Sequence, residues 1–192
     1  MIKAIIIDWH GVIDKKNWKG LVQLMSQESN KTLEESKSLI VPITNKSILG
    51  EVEPTVAWQK VKSLFNFNDH QIDKLKEYVL NIDFDKEVVN FLEDNKNKYK
   101  IILLTDCPED KAEVIKKSVA KLFDKMYFSC YSHKSKKDSE FFADAAKDFK
   151  LLPEECLYID DKEQPIAKAA SLGFNVCLFK QGIDLGAVLG GQ

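Results

Sequence analysis

Ala4-Ile5-Ile6-Ile7-Asp8-Trp9-His10-Gly11 is the stretch on which the fold turns. Its four consecutive apolar residues leave no polar face, the pattern of a strand covered on both sides, and they stop abruptly at a carboxylate. Four more runs of this kind follow at residues 100–104, 126–130, 156–159 and 175–179. Helix-patterned stretches at 108–122, 139–149 and 164–172 separate the last four, with Asp138 placed as an N-cap and Gly173 as a stop. Strand and helix therefore alternate. Right-handed crossovers then predict an α/β protein with a doubly wound, Rossmann-like parallel sheet.

Working outward, residues 15–81 break the alternation, because they carry several helix patterns and no strand. Thr32-Leu-Glu-Glu35 is a capping box, Pro54 suits a first helical turn, and Asn68 or Asp69 can cap a helix holding Ile72, Leu75 and Val79. The expected organisation is a core of residues 1–14 and 82–192, with a small helical cap inserted at 15–81. The glycine-rich end from Leu185 onward reads as a fraying tail.

The 192 residues suffice for one such core with an insertion. A hydrophobic share of 44% with 30% charged residues is that of an ordinary globular protein. Net charge is −2 with both signs interspersed, so there is no basic stripe and nucleic acid is not an expected partner. The first apolar run is cut by Asp8 long before it could serve as a signal-peptide core or a membrane span, which predicts a cytoplasmic protein with no membrane partner. Cys107, Cys130, Cys156 and Cys177 show no metal-ligand spacing and read as free thiols, Cys107 as a packing residue.

In an open parallel sheet the ligand site lies beyond the carboxyl ends of the strands. Here those ends carry Asp8, Thr105 with Asp106, and Asp160 with Asp161, while Lys134, Lys136 and Lys137 follow the third run. Carboxylates gathered from several strand ends repel unless a cation sits among them, and a hard divalent ion such as Mg²⁺ answers that need.

Ile-Ile-Ile-Asp8-Trp-His-Gly11-Val, Leu-Leu-Thr105-Asp106, Lys136-Lys-Asp-Ser-Glu-Phe-Phe142 and Leu-Tyr-Ile-Asp160-Asp161 together resemble the four ordered motifs of the haloacid dehalogenase superfamily. The resemblance spans nearly the whole chain, and the insertion, with Gly50-Glu-Val-Glu53 leading to Trp58, is similar to the small helical cap of the phosphatase-like branches. It implies that Asp8 is a nucleophile forming an aspartyl-phosphate, Gly11 shapes the loop after it, and Thr105 and Asp106 bind the phosphoryl group. Lys136 would keep the nucleophile ionised, although both prolines usual near this lysine are missing. Asp8, the His10 backbone carbonyl, Asp160 and Asp161 would hold Mg²⁺. For Asp160, direct ligation and a supporting role stay open, as does the choice among the three lysines. The implied partner is a small phosphorylated metabolite.

One departure matters. Phosphatases of this superfamily usually carry a second Asp two residues after the nucleophile, and here that residue is His10, which can also give and take a proton. The substitution, with Pro165 where relatives often have an acid or Asn, keeps two alternatives beside the Mg²⁺-dependent phosphatase. One is a C–P or C–halogen hydrolase of the same superfamily. The other is a binding protein that retains the fold without turnover.

Overall fold

The computed structural model describes residues 1–191. Its centre is the expected parallel sheet: β1 (Ala4–Ile7), β2 (Lys100–Thr105), β3 (Lys125–Phe128), β4 (Cys156–Asp160) and β5 (Asn175–Leu178), in the order β3-β2-β1-β4-β5. β1 lies in the middle, with Ala4 level with Lys100 on one side and Cys156 on the other.

Strand side chains alternate between faces, so each apolar run feeds two cores. Ile5, Ile7, Ile101, Leu103, Leu157 and Ile159 pack against Val88 and Leu92 of α5 (Lys86–Asn95), Ala112 and Ile115 of α6 (Glu109–Val119), and Leu185 of α10 (Leu185–Gly190). Ala4, Ile6, Ile102, Leu104 and Tyr158 meet Phe141 and Phe142 of α8 (Ser139–Lys147) and Ala169 of α9 (Glu163–Ser171). Each large side chain buried this way contributes roughly 1.5–3 kcal/mol.

Three local expectations are corrected. The third strand stops at Phe128, opposite the last residue of β2, and Ser129 and Cys130 instead begin the one-turn helix α7 (Ser129–Ser132). There the Ser129 hydroxyl accepts the Cys107 N–H at 3.1 Å, a bond that replaces a ladder bond. The end after Leu185 is tied down rather than frayed through Gly190, since Asp184 caps α10 by accepting the Ala187 N–H at 3.0 Å and Leu185 is buried. Asp138 does stand at the N-cap of α8, but its carboxylate turns back to the Ser135 N–H and hydroxyl, at 2.9 and 3.1 Å.

Between β1 and α5 come α1 (Trp18–Ser29), α2 (Leu33–Ile48), α3 (Pro54–Phe65) and α4 (Asp69–Leu80). They enclose an apolar cluster of their own, including Met25, Ile40, Phe65 and Leu75. Thr32 and Glu35 form the expected box, Pro54 opens α3, and Asn68 rather than Asp69 caps α4, paired with Gln71. The chain leaves and re-enters the sheet side by side: Lys15 N–H donates to the Asp83 carbonyl and Asp85 N–H to the Ile13 carbonyl, both at 2.8 Å. Among the described residues no helix is long and apolar enough to cross a membrane.

Candidate active site

The sheet delivers the strand-end carboxylates to one point. Asp8, Asp160 and Asp161 each present an oxygen, all within 4.8 Å of one another. Into this cluster comes one of the three lysines. Lys136 is buried, its Nζ 2.7 Å from Asp8 Oδ2 and 2.7 Å from Asp160 Oδ2. Lys134 instead pairs with Asp144 and Glu140 on α8, and Lys137 is exposed. Burial works against the Lys136 charge, but the carboxylates of Asp8, Asp160 and Asp106 outweigh it and hold the ammonium protonated well above the ordinary lysine range. The lysine is fixed from behind as well, because Asp106 accepts its backbone N–H at 3.0 and 3.3 Å.

Asp160 is already engaged. Its Oδ2 accepts from Lys136 and from the buried Tyr158 hydroxyl, and its Oδ1 accepts the Lys162 N–H at 2.8 Å. Four buried oxygens nearby are not: Asp8 Oδ1 and Oδ2, Asp161 Oδ1 and Thr105 Oγ1 have no hydrogen-bond partner among the described residues. The Lys136–Asp8 contact is an ion pair lying off the hydrogen-bonding direction. Buried oxygens left without partners are costly, and those of Asp8 and Asp161 lie together where a hard cation would satisfy them, while the Thr105 hydroxyl at the end of the neighbouring strand is free to donate to a ligand. Asp8 and Asp161 therefore suit direct ligation and Asp160 suits a supporting place. Strand-end Thr and Asp residues can also serve as caps of the following helix, here α6. Thr105 and Asp106 do not, since α6 begins at Glu109, behind Pro108 and without a side-chain cap.

Gly11 is fixed on two counts. Its φ is +80°, and a Cβ there would fall 2.2 Å from Asp161 Oδ2. Gly11→Ala should therefore displace Asp161 and weaken Mg²⁺ binding by about tenfold or more, as measured by calorimetric titration. Burial first, and then the charge of Asp8, push the Asp161 carboxyl up to about 6. Because protons compete with the ion, Mg²⁺ affinity should fall roughly tenfold per pH unit below about pH 6. The same shift has the opposite sign for the metal-free fold: a carboxyl whose folded pKa is raised favours folding at low pH, a contribution lost as pH rises through about 6. Thermal melts without metal should show Tm falling over that interval, and added Mg²⁺ should restore it.

His10 lies partly buried beside this cluster and makes no side-chain hydrogen bond among the described residues. Burial, then the charges of Lys111, Lys162 and Lys136, push its imidazole down to about 3, so it is neutral at pH 7. Its neighbour Trp9 is fully buried and packs edge-on to Phe84. His70 is exposed, and His133 turns away from the carboxylates to meet the Leu49 carbonyl at 2.7 Å.

Asp14 and Lys111 carry no sequence signal of function, yet both are buried and paired at 2.9 Å. The other oxygen of Asp14 accepts the N–H groups of Lys16 and Asp83, at 3.2 and 3.1 Å, one on each chain crossing between sheet and inserted helices. Lys111 Nζ also lies 5.9 Å from the Trp9 ring. The pair thus pins the loop after Asp8, both crossings and α6 together.

Besides the His133–Leu49 contact, the inserted helices touch the sheet domain elsewhere. Trp58 Nε1 donates to Asp110 Oδ2 at 3.0 Å, and a Cβ on Gly50 would stand 2.2 Å from the Cys130 carbonyl.

The model of a haloacid dehalogenase-like hydrolase family matches residues 2–173. The chain belongs to that family. A hydrolase with this arrangement also has solved structural relatives. One is a HAD family enzyme from Bacteroides thetaiotaomicron, solved with magnesium and inorganic phosphate (21% identity, 98% of this chain and 99% of that one, TM-score 0.80). Another is a predicted HAD-like family hydrolase from Porphyromonas gingivalis (19%, 100% and 97%, TM-score 0.80). More distant is the L-2-haloacid dehalogenase of Xanthobacter autotrophicus (12%, 100% and 84%, TM-score 0.66). At these identities the likeness is one of fold. No curated relative matches the hydrolase by sequence.

Proposed function

We propose that this hydrolase is a Mg²⁺-dependent phosphatase of small phosphate monoesters, working in the cytoplasm through an aspartyl-phosphate on Asp8. The observation that carries the reading is the meeting of Asp8, Asp160 and Asp161 oxygens within 4.8 Å of one another, with a buried Lys136 2.7 Å from Asp8 and with Asp8 and Asp161 oxygens that lack a hydrogen-bond partner. Asp8, Asp161 and the His10 carbonyl would hold the ion, with Asp160 braced behind them by Tyr158 and Lys136. When bound, Mg²⁺ supplies charge to offset that of the phosphoryl oxygens.

The chain's own groups perform the steps. An Asp8 carboxylate oxygen attacks phosphorus, the ester bond breaks, and the leaving oxygen takes a proton. Water then opens the aspartyl-phosphate and returns Asp8 as a carboxylate. Lys136 offsets phosphoryl charge, and the Thr105 hydroxyl donates to a phosphoryl oxygen. Neutral His10 has one ring nitrogen to donate and one to accept, which suits a relay of the proton between the leaving group and water. The helices of 15–81 act as the cap that covers the phosphate ester and selects it.

A C–P hydrolase of this superfamily would use a cap lysine as a Schiff base, but the buried lysine beside Trp9 is Lys111 on α6, and its ammonium is held by Asp14. Release of inorganic phosphate from an aryl phosphate and a panel of sugar phosphates, with Mg²⁺ and with a chelator, tests the reading. Turnover that needs the metal is expected. Halide release from a haloacid without phosphate release would overturn it, as would inactivity across the panel.

A further inference from the structure

β2 and β3 run in register to Thr105 opposite Phe128, and two residues beyond each strand end stand Cys107 and Cys130. The Cys107 N–H bonds to Ser129 Oγ, which ties the two turns together at that level. Neighbouring parallel strands lie about 4.8 Å apart, within the roughly 4.4–6.8 Å Cα separation that a disulfide spans. Both side chains belong to the same buried cluster beneath the sheet. The other two cysteines, Cys156 and Cys177, lie on β4 and β5 across the sheet.

We propose that Cys107 and Cys130 form an oxidisable dithiol, a modification site that a hydroperoxide converts to a disulfide with loss of activity. The two sulfurs are not equivalent. Cys107 has no exposed surface and burial pushes its thiol up, whereas Cys130 keeps 4% of its surface and the neighbouring Cys107 thiol favours its ionised form and lowers it. Cys130 is thus the sulfur that meets the oxidant as thiolate. It attacks one peroxide oxygen, the O–O bond breaks, and Cys130 becomes a sulfenic acid while the other oxygen leaves as an alcohol or water. The Cys107 sulfur then attacks the Cys130 sulfur, its proton going to the departing hydroxide as water. Two thiols lose two electrons and the peroxide gains them. A thiol or thioredoxin-type reductant reverses the change.

The position gives the bond its effect. An S–S distance of about 2.05 Å is shorter than any thiol contact, so closing it draws together the turn after Asp106 and the start of α7. Asp106 holds the Lys136 backbone, and the Cys130 carbonyl is the surface on which Gly50 rests. Both the lysine and the seat of the inserted helices therefore shift. A displacement on the order of 1 Å at such groups lowers turnover by about 10²-fold.

The test treats the folded, full-length protein with hydrogen peroxide and follows mass, tryptic linkage and phosphate-monoester turnover. The activity arm rests on the phosphatase reading, which the untreated enzyme tests by itself, whereas the linkage does not depend on it. Expected are loss of two hydrogens, a fragment pair joining Cys107 to Cys130, about 10²-fold lower turnover, and recovery of all three with dithiothreitol. Cys107→Ser should instead gain one oxygen on Cys130, and Cys130→Ala should keep its activity in peroxide. Four free thiols persisting in the treated wild type, a linkage through other cysteines, unchanged turnover in the linked protein, or equal inactivation of Cys130→Ala would each overturn the proposal.

Discussion

Asp8→Asn is expected to lower phosphate-monoester turnover by on the order of 10⁴-fold or more while leaving the protein folded. The carboxamide has almost the same shape but is a far poorer nucleophile toward phosphorus, and it cannot be an anionic ligand for Mg²⁺. The loss should fall on kcat, because Thr105, Lys136 and the backbone around Gly11 still bind the phosphoryl group. Stability separates this from unfolding. Asp8 belongs to a trio of carboxylates within 4.8 Å of one another, and removing one negative charge leaves Lys136 still paired with Asp160. The metal-free variant should therefore melt no lower than the wild type. A variant that kept full turnover would remove Asp8 from the mechanism.

The second large effect is on the fold. Lys111→Met should destabilise the protein by about 3–5 kcal/mol, since it strands a fully buried Asp14 carboxylate. For a chain of this size that lowers Tm by roughly 6–20 °C. Replacing both partners with apolar residues does not rescue the loss, as it would for an isolated ion pair. The N–H groups of Lys16 and Asp83 would lose their acceptor. Asp14→Asn keeps an oxygen for those two and should cost less than Lys111→Met. Denaturant melts of the three variants give the order, and a Lys111→Met protein as stable as the wild type would show that Asp14 is not held by this lysine.

These two residues also mark where the sequence stops being readable. The strands were legible because an all-apolar run has few other uses, and the carboxylates because they sit where such runs end. Lys111 stands in Glu-Asp-Lys-Ala-Glu and Asp14 in Ile-Asp-Lys-Lys, both of which read as solvated surface. Only the meeting of α6 with the two chain crossings buries them, a long-range event that local pattern does not encode. Lys134, Lys136 and Lys137 pose the same problem at short range. Three cations in four residues look alike until the turn fixed by Asp106 carries one of them inward. Tyr158 was hidden for a different reason. As an aromatic residue within a strand it reads as packing, which it also does against Phe142, while its hydroxyl reaches the strand-end Asp160.

The place of β1 sets the order in which the molecule can be built. The strand that ends in Asp8 is synthesised first, yet its two hydrogen-bonding neighbours begin only at residues 100 and 156. Until those arrive, a run of four apolar residues waits without a ladder on either edge, a state that invites pairing with the wrong chain. The intervening helices can gather around their own apolar cluster much earlier, because their contacts are local. The carboxylate cluster therefore cannot exist before β4 lies beside β1 and brings Asp160 and Asp161 to Asp8.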